Sequence, residues 1–97
     1  MTTYIVMRII GFVGQPPFGD DRPMYVAAYS PDGPDGRGVI TACTTAAFAR
    51  FFPDQETALL CYVQQSKSHP LRSDGQPNRP LTRFAIALET IETDAWP

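Results

Sequence analysis

Residues 2–13 read TTYIVMRIIGFV, and this stretch decides the fold because it is apolar in both of its alternating registers. Successive side chains of a β-strand point to opposite faces of its sheet, and β-branched and aromatic residues suit such a strand. One register holds Ile5, Met7, Ile9 and Val13, and the other holds Tyr4, Val6, Arg8, Ile10 and Phe12. Apolar side chains on both faces of the strand must therefore be buried, and the pattern predicts a central strand of the sheet.

Two further short strands are predicted at residues 24–29 (MYVAAY) and 39–45 (VITACTT). The loop between them, SPDGPDGRG at residues 30–38, repeats Pro-Asp-Gly, which is typical of turns. Its glycines lead into a strand without a following lysine, unlike those of a phosphate-binding loop, and it lacks the glutamate of a calcium loop. We therefore predict a hairpin tip within an antiparallel meander of three strands.

A change of period predicts one helix over residues 55–67, with Asp54 as its N-cap. Pro70 ends the helical region. After an irregular connector, residues 82–92 (TRFAIALETIE) alternate as a final strand. Helical spacing places one set of side chains on the inward face of the helix: Ala58, Leu59, Tyr62, Val63 and Ser66.

The predicted fold class is α+β, a single domain over residues 1–97 with a four-stranded, mostly antiparallel βββαβ sheet and one helix packed on one face. The expected strand order is 3-2-1-4, with the last strand parallel to the first. One helix covers one face, so the other face stays open and marks an interaction site. The candidate binding residues on that face are Tyr4, Arg8, Tyr25, Tyr29 and Arg83.

No stretch carries a catalytic or cofactor signature, so no catalytic residue, metal ligand or cofactor is predicted. Ser66, His69 and Asp74 lie too close together around a helix end to form a nucleophile–base–orienter line. One histidine and two separate cysteines do not make a zinc site. Cys43 and Cys61 are expected to be reduced core side chains. We expect a cytoplasmic protein without a signal peptide or membrane span.

The formal net charge of −2 and the pI near 5.1 argue against a general nucleic-acid-binding face. Acidic residues concentrate in two loops, where they are suited to meet arginines of a partner: Asp20, Asp21, Asp32 and Asp35. The connector carries basic residues suited to contact phosphate or an acidic patch: Lys67, His69, Arg72 and Arg79.

Tyrosine and arginine on an open sheet face are typical both of RNA-stacking platforms and of protein interfaces. The charge favours protein binding, including a homodimer formed through this face. A small nucleic-acid-binding module that uses the same Tyr/Arg face is the alternative.

The stretch FARFFPDQETALLCYV at residues 48–63, followed by an alternating strand, resembles a pattern found in small phage- and prophage-encoded proteins. In these proteins a short meander precedes an ARxF-like turn, a capped helix and a final strand, and the resemblance covers residues 24–92. Proteins of this build also recur among anti-CRISPR inhibitors, which bind a CRISPR effector complex and often block its target-DNA recognition. The resemblance implies a non-enzymatic binding protein of a mobile genetic element, acting on a host protein in the host cytoplasm.

Overall fold

A computed structural model describes residues 2–19, 23–33 and 36–93 of the chain. Its strands are β1 (Thr2–Phe12), β2 (Tyr25–Ser30), β3 (Val39–Cys43) and β4 (Phe84–Thr93), and its α-helix is α1 (Gln55–Tyr62). Two short 3-10 helices span Ala46–Phe48 and Pro80–Arg83. The sheet order is β3-β2-β1-β4, and all neighbours are antiparallel. The predicted α+β class, strand order and central position of β1 are confirmed.

The last strand is antiparallel to the first, so the prediction of a parallel β4 is wrong. Thr2 lies opposite Thr93, and Phe12 lies opposite Phe84. The prediction assumed that a helix over residues 55–67 spans the length of the sheet. Instead α1 has eight residues, about 12 Å of helix. The chain then bends into an irregular segment over residues 63–79, here called the connector. That connector brings the chain to the end of β1 at Phe12, which leaves only an antiparallel direction for β4.

β1 and β2 pair near the centre of β1 and separate toward its N-terminal half. Residues 50–52 fill the gap between the two strands. The backbones of Ile5 and Phe52 exchange two hydrogen bonds of 2.8 Å, and the Arg50 N–H donates to the Val26 carbonyl at 2.9 Å. This segment therefore acts as a short inserted strand, which the sequence patterns did not predict.

The two aromatic side chains of the inserted segment cover opposite faces of β1. Phe52 is 2% exposed and belongs to the core cluster under α1, together with Met7 and Ala58. Phe51 stacks on Tyr4 across the other face, with ring centroids 5.3 Å apart. The cover that β1 requires on its second face thus comes in part from Phe51 rather than from a second helix.

A β-bulge in β2 changes which face its last residues occupy. The pairing with β3 shifts register between Val26 and Ala28, so Ala27 is an extra residue in β2. A bulge reverses the alternation of the residues that follow it. Tyr29 therefore lies on the same side as Val26, where its hydroxyl accepts a 3.2 Å hydrogen bond from the Leu81 N–H. The prediction that Tyr29 lies on the open face is wrong.

The N-cap of α1 is confirmed, because an Asp54 carboxylate oxygen accepts a 2.7 Å hydrogen bond from the Thr57 N–H. This hydrogen bond holds the pKa of Asp54 below its ordinary value. The carboxylate also lies at the positive end of the helix dipole, which favours its charged form.

The inward face of α1 differs from the predicted one. Ala58 and Cys61 are buried, and the Tyr62 hydroxyl donates to a carbonyl of β4 at 2.7 Å. Leu59 and Val63 are exposed by 50% and 42%, so their predicted inward position is wrong. The anchored tyrosine fixes the rotation of this short helix, and the two aliphatic side chains point away from the sheet.

Removal of the Phe52 ring should cost the protein much of its stability. We expect Phe52→Ala to lower the free energy of unfolding by about 3–5 kcal/mol, because a fully packed ring is lost from the core. Phe48→Ala is the matched control; its ring is 76% exposed, and its loss should change stability by about 0.5 kcal/mol or less. Urea denaturation followed by circular dichroism measures both. Equal losses would contradict the role given to the inserted segment.

Candidate partner-binding surface

The face of the sheet opposite α1, here called the open face, brings together three of the predicted binding residues. Tyr4 and Arg8 project from β1, and Tyr25 projects from β2 beside them. Glu89 of β4, which was not among the predicted residues, joins this group. Val6 is 1% exposed beneath the group and forms its apolar floor.

Glu89 organises the centre of the open face. Its carboxylate pairs with the Arg8 guanidinium at 3.4 Å and accepts a 3.2 Å hydrogen bond from the Tyr25 hydroxyl. Desolvation raises the pKa of Tyr25, and the adjacent Glu89 charge raises it further. Tyr25 therefore stays a neutral donor at physiological pH, and the charges of Arg8 and Glu89 offset each other. This centre is a polar scaffold with no net charge.

A groove of about 500 Å³ lies on the open face beside this scaffold. The ring of Phe48 stands on its wall and is 76% exposed, while Ala49 next to it is 9% exposed. The Arg50 guanidinium lies 5.0 Å from the ring centre of Phe52 and reaches the Cys61 sulfur at 3.8 Å. The groove is lined by Ala27, Ala47, Phe48, Ala49, Arg50 and Phe51.

The groove residues were missed as candidate site residues. The first 3-10 helix and the segment after it have no regular period, so no helix or strand face could be assigned to them. The only available signal was the density of aromatic residues around Arg50 in FARFF at residues 48–52. Arginine and aromatic residues are enriched at the centres of protein interfaces.

The remaining predicted site residues lie elsewhere or outside the described residues. Arg83 ends the second 3-10 helix and lines a cavity beside the connector, so its predicted position on the open face is wrong. Tyr29 faces the α1 side, as described above. Asp20, Asp21 and Asp35 lie outside the described residues, and their role in binding stays a prediction.

Asp32 ties the β2–β3 hairpin to the connector. One of its carboxylate oxygens accepts hydrogen bonds from the backbone N–H groups of Lys67, at 2.6 Å, and Ser68, at 3.1 Å. These two bonds hold the pKa of Asp32 below its ordinary value. The carboxylate therefore joins two parts of the chain more than 30 residues apart.

Histidine and serine meet in the connector without the arrangement of a catalytic triad. The Ser68 hydroxyl lies 3.1 Å from His69 Nδ1, and the Ser66 hydroxyl accepts from the His69 backbone N–H at 3.0 Å. Within the described residues no carboxylate hydrogen-bonds to the His69 ring to orient it. The Asp74 carboxylate instead accepts from the Gln76 N–H at 3.0 Å.

Cys43 and Cys61 are both free thiols, as expected. Cys61 is buried, whereas Cys43 is half-buried and donates to the Thr45 carbonyl at 3.3 Å. Burial raises the pKa of the Cys61 thiol more than the nearby Arg50 charge lowers it. A thiol in this state is a poor nucleophile.

Among residues 2–19, 23–33 and 36–93, no three His, Cys, Asp or Glu side chains are placed to hold a metal ion. None of the described helices has the length and apolar composition needed to cross a membrane. Comparison with known protein families, with curated proteins and with solved structures finds no match for this chain.

Loss of the Asp32 charge should weaken the folded state at neutral pH. We expect Asp32→Asn to lower the midpoint of thermal unfolding at pH 7, because an amide oxygen is a weaker acceptor than a carboxylate. The folded-state pKa is depressed, so the contribution of Asp32 is full above its ordinary pKa and is lost as pH falls through the folded value. The difference between variant and wild type should therefore shrink between about pH 5 and pH 2.

Asp74→Asn is the control for this measurement, because the Asp74 carboxylate contacts Arg72 and Gln76 within its own loop. Its effect on the midpoint should be smaller than that of Asp32→Asn. A difference between Asp32→Asn and wild type that stays constant down to pH 2 would contradict the assignment.

The Cys61 thiol should resist modification in the folded protein. In a Cys43→Ser variant, reaction with iodoacetamide at pH 7.5 should be about 10-fold or more slower than in denaturant, because the thiol is buried and its pKa is raised. Mass spectrometry over time measures the reaction. A rate in the folded protein equal to that in denaturant would contradict the burial of this thiol.

Proposed function

We propose that this chain is a small non-enzymatic binding protein that docks on a host protein through its open face. The observation that carries this proposal is the exposed Phe48 ring on the wall of the groove. A large aromatic side chain that is 76% exposed is costly to hydrate, and its burial against a partner is favourable.

The shape of the groove suits protein recognition. Its floor is set by Ala49, which is buried, and its backbone is fixed by hydrogen bonds from Phe48 N–H to Thr45 and from Ala49 N–H to Ala46. A surface that is ordered before binding loses little conformational entropy in the complex. Small residues around an exposed aromatic ring leave room for an apolar side chain of the partner.

The same face gives less support to the nucleic-acid alternative. Base stacking requires exposed aromatic faces, and the Tyr4 ring already stacks on Phe51. Phosphate contacts require uncompensated cations, and Arg8 is paired with Glu89. Tyr29 and Arg83 do not lie on this face, so the predicted platform of five residues is not assembled.

The partner class that we propose is a CRISPR effector complex whose target-DNA recognition is blocked, as in anti-CRISPR-type inhibitors. The groove lies in the segment that carries the resemblance to small phage-encoded proteins. CRISPR effectors hold nucleic acid in positively charged channels, which attract an acidic protein. Gly19 and Pro23, which bracket the predicted acidic loop along the chain, line a small cavity beside Arg8 and Glu89 on the open face.

The proposal predicts inhibition that depends on Phe48. We expect wild-type protein to reduce binding of target DNA by a purified guide-loaded effector, measured by fluorescence anisotropy with representative effector types. Phe48→Ala should weaken inhibition about 10-fold or more, as for an aromatic residue central to an interface. Leu60→Ala is the matched control, since Leu60 is 64% exposed on α1 and does not line the groove.

Three outcomes would contradict the proposal. Equal inhibition by Phe48→Ala and wild type would remove the groove from the interface. A salt-sensitive shift of single-stranded nucleic acid by the protein alone would support the nucleic-acid alternative. A dimer in analytical ultracentrifugation that dissociates in Phe48→Ala would assign the groove to contact between two copies of the chain.

A further inference from the structure

A second cavity, here called the basic pocket, lies between the tip of the β2–β3 hairpin and the connector. Its volume is about 320 Å³, which is within the range of pockets that hold small molecules. None of its lining residues lines the groove on the open face. The pocket is lined by Gly36, Arg37, His69, Leu71, Arg72, Ser73, Asn78 and Arg83.

The floor of the basic pocket is held in place by a buried amide. Asn78 is 9% exposed, and its side-chain NH₂ donates to the carbonyls of Gly36 and His69, both at 2.8 Å. These bonds join the hairpin tip to the connector. The Ser66 backbone N–H donates to the backbone carbonyl of Asn78 at 2.8 Å, which also holds residue 78 in place.

Gly36 permits the close approach of the two loops. Its φ is +76°, a conformation that favours glycine, and a Cβ at this position would lie 3.2 Å from the Cβ and Cγ of His69. The imidazole therefore stands directly against the hairpin backbone. The hairpin tip, which the sequence indicated only as a turn, thus forms one wall of the pocket.

Among the described residues, the lining of the basic pocket contains three arginines and one histidine and no acidic residue. Arg72 pairs with Asp74 at 3.4 Å, but both side chains are more than half exposed, so solvent screens this pair. Arg83 has no ion-pair partner among the described residues. In a chain with a net charge of −2, this concentration of guanidinium groups around one cavity is a local exception.

We propose that the basic pocket binds a phosphate group, either as inorganic phosphate or on a small phosphorylated ligand. Guanidinium groups match the geometry of phosphate and donate to it in pairs. A phosphate dianion has two charges and three terminal oxygens, so it can accept hydrogen bonds from more than one of the arginines that line the pocket. The volume of the pocket also leaves room for the group that carries the phosphate.

The proposal is tested by NMR titration of the folded protein with inorganic phosphate, adenosine 5′-monophosphate and adenosine, at low ionic strength. Phosphate and the monophosphate should produce saturable shifts at the backbone amides of Arg37, His69 and Arg83, and adenosine should not. Tighter binding of the monophosphate than of phosphate would identify a phosphorylated ligand, and equal affinities would identify the phosphate group alone. Either result supports the proposal.

The variants Arg83→Ala and Arg72→Ala should each weaken binding of the monophosphate about 10-fold, in line with loss of a charge-assisted contact. Arg79→Ala is the matched control, because it removes the same charge from the connector at a residue that does not line the pocket. Arg79→Ala should weaken binding of the monophosphate by less than about twofold. Circular dichroism confirms that each variant is folded.

Three results would overturn the proposal. These are the absence of saturable shifts with either phosphate ligand, equal weakening by Arg79→Ala and Arg83→Ala, and tighter binding of a poly-glutamate peptide than of both phosphate ligands. The last result would assign the pocket to an acidic protein segment instead. None of these measurements uses a CRISPR effector. The phosphate-binding proposal can therefore fail while the proposed function holds, and the reverse is also true.

Discussion

The pair of backbone hydrogen bonds between Ile5 and Phe52 is the interaction on which the rest of the structure depends. Without it, the N-terminal half of β1 would present an unpaired edge toward β2, and buried backbone groups would lack partners. Each bond contributes about 0.5–1.5 kcal/mol, whereas burial of a phenylalanine side chain contributes about 1.5–3 kcal/mol. The two hydrogen bonds together and the buried Phe52 side chain therefore stabilise the fold by similar amounts. The hydrogen bonds set the register that places Phe51 and Phe52 on opposite faces.

The parts of the fold that could be predicted are those that leave a local periodic pattern in the sequence. The two-sided apolar pattern of residues 2–13 made β1 central, and alternation in residues 82–92 identified β4. The bulges could not be predicted, because an extra residue such as Ala27 leaves no local mark in the sequence. It becomes visible only in the pairing with a neighbouring strand. The direction of β4 could not be predicted either, because it depends on where the short helix α1 ends.

The same reasoning explains which site residues were placed correctly. In β1 the pairing with β4 shifts register between Ile9 and Gly11, and Tyr4 and Arg8 precede that shift. Tyr25 precedes the bulge of β2, so simple alternation holds for all three residues. Arg83 precedes β4 and lies in a 3-10 helix, where strand alternation does not apply. Asp32 was recognised as a charge on a turn, but its hydrogen-bond donors come from a distant part of the chain.

The two candidate surfaces differ in how charge contributes to binding, and this difference separates their functions. On the open face the cation of Arg8 is offset by Glu89, so the proposed contact at the groove would depend chiefly on burial of apolar groups such as Phe48. In the basic pocket the proposed phosphate contacts are electrostatic, so salt would screen them. The two surfaces share none of their lining residues. The proposed protein partner and the proposed phosphate ligand would therefore not compete for the same side chains.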